Sequence, residues 1–139
     1  MQVPACPDKK SFALDYLPRE TVALPRRIAF HFYNLAQGGV ERMRISLSRE
    51  LLARGYEVDF VLVRAEGELA HLVPEGVRVF DLKSRRTLSS IGPLTRYFKD
   101  HAPDAMFSSM GPQNIAAINA RRFAGAKSWL GVMQHNALS

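Results

Sequence analysis

Five short apolar runs alternate with stretches of helical period, and this alternation constrains the fold of the 139-residue chain more than any other feature. The runs "RIAFHFY" (27–33), "EVDFVLV" (57–63), "VRVFDL" (77–82), "AMFSS" (105–109) and "KSWLGVM" (127–133) are each bounded by Gly, Pro or charged residues and read as strands. After the first run, Val40, Met43, Leu47 and Leu51 recur at three- and four-residue steps while Glu41, Arg42, Arg49 and Glu50 fall elsewhere. That spacing predicts a helix with those four residues on its buried stripe, ending at Arg54 with Gly55 as a left-handed cap. A second helix is expected from Pro93, with Leu94, Tyr97, Phe98 and His101 on one face and Pro103 stopping it. A third opens at Pro112, buries Ile115 and Ile118, and closes near Gly125.

Strands alternating with helices imply right-handed crossovers and a parallel sheet covered on both faces. The expectation is an α/β, Rossmann-like or flavodoxin-like domain over residues 26–139 with strand order 3-2-1-4-5. Residues 1–25 carry four prolines without a sustained period and read as a flexible or loosely docked leader.

In such sheets ligands bind beyond the carboxyl ends of the strands, where the winding reverses. The loop "YNLAQGGVERM" (33–43) falls there, and Gly38 and Gly39 leave room for a sharp turn and for a ligand near the free N–H groups of the helix start. A phosphate suits that position. The loop has neither G-x-G-x-x-G nor a Gly-Lys-Ser/Thr continuation, so it is neither an NAD-type fingerprint nor a P-loop. Glu41 in the first turn complements the helix dipole with or without a ligand.

Cys6 is the only cysteine, which excludes an intrachain disulfide, and no Cys/His spacing suggests a metal. The first residues lack the apolar core of a secretory signal, and no uncharged run is long enough to span a bilayer. The formal charge of +6 suits anionic partners. Nucleic acid is not expected, because no aromatic platform or recognition-helix pattern accompanies the charge.

The run "RIAFHFYNLAQGGVERMRISLSRELLARGYEVDFVLV" (27–63) resembles the opening of the retaining family-4 glycosyltransferases of GT-B architecture. Those enzymes follow their first strand with a GG(A/V)E-type loop, an amphipathic helix and a "RGHEV"-like entry to strand two, here "RGYEV" with Tyr56 in the usual His place. "PEGVRVFDL", "APDAMFSS" and "WLGVMQHN" continue the similarity in order. The resemblance implies transfer of a sugar from a nucleotide-sugar donor to an acceptor in a cleft between two Rossmann-like domains. It assigns Gly38 and Gly39 to the donor phosphate loop and His135 to a catalytic place beside the transferred sugar. Ser108, Ser109 and Asn114, expected on the rim after strand four, and Asn136 are candidates for acceptor contacts.

The donor domain of that family is absent, so the chain is expected to be the acceptor-side N-terminal part, inactive alone. The resemblance implies no metal and no cofactor besides the donor substrate. It also suggests an envelope polysaccharide or lipid-linked acceptor and a cytoplasmic protein, peripheral at the inner face of the membrane. Lys83, Arg85, Arg86, Arg96 and Lys99, mixed with Leu88, Ile91 and Leu94, form a candidate patch for an anionic membrane; Arg42, Arg44, Arg49 and Arg54 form a lesser one. If the chain ends after strand five, that edge is open and a homodimer through it is expected. The alternative reading is a non-catalytic flavodoxin-like binding or regulatory module. His31 reads as a packed residue, and His71 and His101 as helix-surface residues.

Overall fold

The computed structural model describes residues 26–36 and 38–133. Its five strands are β1 (Arg27–Phe32), β2 (Glu57–Leu62), β3 (Arg78–Asp81), β4 (Ala105–Ser109) and β5 (Trp129–Met133). They form one sheet in the order β3-β2-β1-β4-β5, and every pairing is parallel. Three helices cross between them: α1 (Gly39–Ala53), α2 (Ile91–His101) and α3 (Gly111–Ala124). Short 3-10 turns at Glu68–Leu72 and Leu88–Ser90, not expected from the sequence, break the longer connections.

Helices cover both faces, as the alternation requires. On one face α1 brings Ile45 against Ile28, Phe30, Phe32, Val58, Phe60 and Leu62. The rings of Phe30 and Phe32 meet Phe60 edge-on at 6.0 and 5.2 Å, geometry that adds to their burial. On the other face α2 and α3 bring Leu94, Tyr97, Phe98, Ala117 and Ala120 against Ala29, Val61 and Met106. Gly55 and Gly125 take positive φ directly after α1 and α3, as expected of left-handed caps.

Two helix faces differ from expectation. In α1 the buried residues are Arg44, Ile45 and Ser48, whereas Met43 and Leu47 are exposed. Leu51 still packs on the core and Val40 is half-buried, but the inner face is centred on Arg44, whose guanidinium lies over the Phe30 and Phe32 rings, 5.0 and 5.8 Å from the centroids. In α3 Ile115 and Ile118 are exposed, not buried. The small Ala116, Ala117 and Ala120 face inward instead, which lets the helix approach the sheet and α2 closely.

At the amino edge of the sheet, Asp59 is fully buried and surrounded by donors. Arg78 gives it Nε and Nη2 at 2.9 and 3.0 Å, Arg27 Nη1 lies at 3.4 Å, and the Tyr97 hydroxyl donates at 2.6 Å. His101, expected on the helix surface, is half-buried against Phe80 and Tyr97, with ring centroids 4.6 and 5.2 Å away. This cluster ties β1, β2, β3 and α2 together at the end of the sheet opposite the Gly38–Gly39 loop.

Candidate functional site

The winding reverses between β1 and β4, so the crevice for a ligand lies beyond the carboxyl ends of those two strands. The β1–α1 loop forms one wall of it. Leu35 is buried and anchors the loop by two backbone bonds: its N–H donates to Glu66 O at 2.8 Å, and its carbonyl accepts from Leu69 N at 2.9 Å. Gly67 makes this docking possible. Its φ is 137°, and a Cβ there would lie 2.2 Å from the Leu35 carbonyl carbon.

The paired glycines act differently from the expected sharp turn. Gly38 is extended (φ −171°, ψ 155°), a backbone open to any residue, and Gly39 begins the helix. What Gly38 leaves room for is Glu41: an added Cβ would come within 2.2 Å of Glu41 Oε2. At Gly39 an added Cβ would meet nothing within 4 Å, so the helix start opens on free space. Among the described residues no side chain caps α1, whose first N–H groups have no intrahelical partner.

Beneath this helix start lies Arg44. It is 1% exposed, and burial pulls its guanidinium down to about 10 while Glu41 opposes the shift. Nη2 donates to Ser109 Oγ at the end of β4; Nε and Nη1 have no acceptor among the described residues.

Ser108 and Ser109 close β4, as the run 105–109 predicts, but they are buried and do not stand on an exposed rim. Alternation sends them to opposite faces. Ser109 meets Arg44, while Ser108 shares the other face with His31, its cross-strand partner. His31 is packed as expected: Nδ1–H donates to Val61 O at 2.8 Å, and Nε2 and Ser108 Oγ are unpartnered. Burial pushes His31 down to about 4, so the ring is neutral near pH 7. Met110, at φ 77°, turns the chain into α3. Asn114 donates Nδ2 to Met133 O at 3.0 Å, which leaves its Oδ1 unpartnered near the start of α3. His135 and Asn136 lie outside the described residues, as do residues 1–25.

The basic residues do not make the expected amphipathic patch. Lys83, Arg85, Arg86, Arg96 and Lys99 are exposed, but Leu94 is fully buried and Ile91 packs against the core, which leaves Leu88 alone outside. Lys83 and Arg85 instead join Arg64, Glu66 and Asp81 around a pocket of about 280 Å³ beside β2 and β3. In the lesser patch, Arg44 is not a surface residue at all. Among the described residues no helix is long and apolar enough to cross a membrane, and no three metal-type ligands gather.

The model of the glycosyl transferase 4-like domain matches residues 38–137, well over half of the chain and the whole span from the paired glycines to β5. The chain belongs to this glycosyl transferase 4-like family. Among solved structures, the apo form of the lipopolysaccharide outer core galactosyltransferase WaaB is similar, with a TM-score of 0.62 at 16% identity. The alignment covers 78% of this chain and 33% of WaaB, so the family domain described here spans about a third of that structure. At such identity the likeness shows a shared fold, the Rossmann-like half of a GT-B architecture. No curated protein matches the chain. Gly67 and Met110 carry no expectation from the sequence, and Arg44, expected on a basic surface patch, is instead buried beside β4.

Proposed function

We propose that the chain is the acceptor-side N-terminal domain of a retaining glycosyltransferase, which moves a sugar from a nucleotide-sugar donor to a sugar or lipid-linked acceptor. The observation that carries this reading is the family match beginning at Gly38, where an uncapped helix start opens on the β1/β4 crevice. In this reading the N–H groups at Gly38 and Gly39 meet the donor phosphates, and His135 hydrogen-bonds the transferred sugar or supports charge beside it. Asn136 is offered to acceptor hydroxyls, while Asn114, whose Oδ1 is buried, positions the end of β5 through its bond to Met133 O. Ser108 is buried beside His31, and the Ser109 hydroxyl is committed to Arg44. The acceptor in this proposal belongs to the cell envelope, in keeping with WaaB as a lipopolysaccharide outer core galactosyltransferase, and the enzyme is proposed to work at the cytoplasmic face of the membrane. Trp129 and Val132 are exposed on β5, whose described pairing is to β4 alone, so self-association through this edge is part of the proposal.

The test is sugar transfer by a protein carrying this domain and a donor domain, with nucleotide sugars supplied in turn and product configuration read by NMR. Retained configuration, activity reduced in folded His135→Ala and no transfer by the 139-residue chain are expected. Robust transfer by this chain alone overturns the division of labour. Full activity in His135→Ala removes that histidine from the mechanism.

A further inference from the structure

Arg44 is an anomaly among the charges of this protein. It is the largest fully buried side chain, yet no carboxylate forms an ion pair with it among the described residues. Its one hydrogen-bond acceptor is the neutral Ser109 hydroxyl, and two of its nitrogens have none. Burying a guanidinium in this way costs several kcal/mol, while a methionine of similar length would fill the space between helix and phenylalanines without that cost. A cation kept here is poised for an anion.

Its position says where that anion goes. Arg44 lies on the inner face of α1, five residues into the helix, and helical side chains lean towards the N-terminus. The guanidinium lies over Phe30 and Phe32 of β1, nearer the former, and meets Ser109 at the carboxyl end of β4. Those are the two strands that flank the switch point. The N-terminus of α1, with no side-chain cap among the described residues and open space where a Gly39 Cβ would lie, follows the loop that leaves the carboxyl end of β1. A helix N-terminus and an unpartnered buried cation thus converge from one element.

We propose that Arg44 is the receptor group for an oxyanion, phosphoryl or carboxylate, that docks at the start of α1 in the β1/β4 crevice. The site rests on the loop reading above for its place in a reaction, but its chemistry is independent of sugar transfer. The helix N–H groups supply direction, and Arg44 supplies the full charge that Gly38 and Gly39 lack. Glu41, folded back against Gly38, sets a negative charge at the mouth, which favours ligands able to outcompete a carboxylate.

The test uses the 139-residue chain and three probes at matched ionic strength, inorganic phosphate, pyrophosphate and acetate, with chloride as the background salt. The Arg44 Nε–H resonance is followed by NMR, and dissociation constants are compared for wild type, Arg44→Met and the exposed neighbour Arg42→Met. A saturable shift of the Arg44 resonance is expected. Response to phosphate or pyrophosphate identifies a phosphoryl ligand, and response to acetate alone a carboxylate. Arg44→Met, folded by its cooperative melt, should bind about tenfold or more weakly, the weight of one charge-assisted hydrogen bond. Arg42→Met should bind as wild type. Equal affinity in folded Arg44→Met, or a wild-type Arg44 resonance unmoved by every probe, overturns the proposal; the second readout stands even if Arg44→Met fails to fold. Anion binding through Arg44 without sugar transfer by the two-domain protein sinks the enzymatic reading alone. Transfer without any anion effect at Arg44 sinks this inference alone.

Discussion

Gly67 and Leu35 interlock: a Cβ on the glycine would sit 2.2 Å from the carbonyl carbon of the leucine. The β2 connection therefore holds the β1–α1 loop by backbone-to-backbone approach, and no side-chain rearrangement can relieve a larger residue there. Gly67→Ala should cost about 2 kcal/mol or more in urea unfolding, from positive φ and steric overlap together. Gly39→Ala, with nothing to strike within 4 Å, should be neutral or slightly stabilising. Equal costs at the two positions would show that the interlock does not hold the loop.

The Tyr97 hydroxyl donates to Asp59 at the other end of the sheet, 2.6 Å away inside the core. Burial pushes both groups up, and the hydrogen bond draws Asp59 back towards its charged form. Tyr97→Phe keeps the ring against Phe80 and His101 but leaves the carboxylate short of a donor. Its expected cost is about 1.5 to 3 kcal/mol, the range for a hydrogen bond to a charged partner. A loss under about 0.5 kcal/mol by chemical denaturation would mean that Arg27 and Arg78 satisfy Asp59 without it.

The strand order was legible because five apolar runs separated by helical spacers leave few parallel topologies, and Gly55 and Gly125 announced their caps. The inward face of α2 was legible too, since Leu94, Tyr97 and Phe98 are buried as expected, but those of α1 and α3 were not. Arg44 carries a charge, and sequence patterning assigns charges to solvent; only the phenylalanine rings of β1, distant in sequence, reveal why it turns in. Ala116, Ala117 and Ala120 lose to Ile115 and Ile118 on any hydrophobicity scale, yet they permit the closer helix approach. Gly67 offered no signal beyond a glycine between two acids. The paired glycines follow β1 at the switch point as expected, but neither has a conformation that requires glycine: Gly38 is extended with only the flexible Glu41 carboxylate close by, and Gly39 faces open space.

Exposed Lys83, Arg85, Arg86, Arg96 and Lys99 still provide a basic surface, although Leu88 is its one exposed apolar anchor among the three expected. Docking to vesicles should therefore be electrostatic, at about 1 kcal/mol per cation near an anionic leaflet, and should vanish at high salt. Sedimentation with anionic vesicles should fall sharply in Arg85→Glu/Arg86→Glu and hardly change in Leu88→Ser. Equal partitioning to neutral vesicles would reject this surface as a membrane contact.

His31 should give the protein an acid-sensitive stability. Its folded value is lowered to about 4 from 6.5, chiefly by burial, with Val61 O opposing and Arg44 adding a smaller push. Between those values the unfolded chain binds the proton and the folded chain does not, so stability rises with pH across the window. The contribution is fully present above about 6.5 and is lost as pH falls to about 4, roughly 3 kcal/mol in all. His31→Asn places an amide near the Nδ1 position, able to donate to Val61 O, and carries no titrating group. Unfolding free energies measured from pH 7 to pH 4 should converge between the two proteins as the wild type loses its advantage. Parallel curves would show that His31 is not held neutral by the fold.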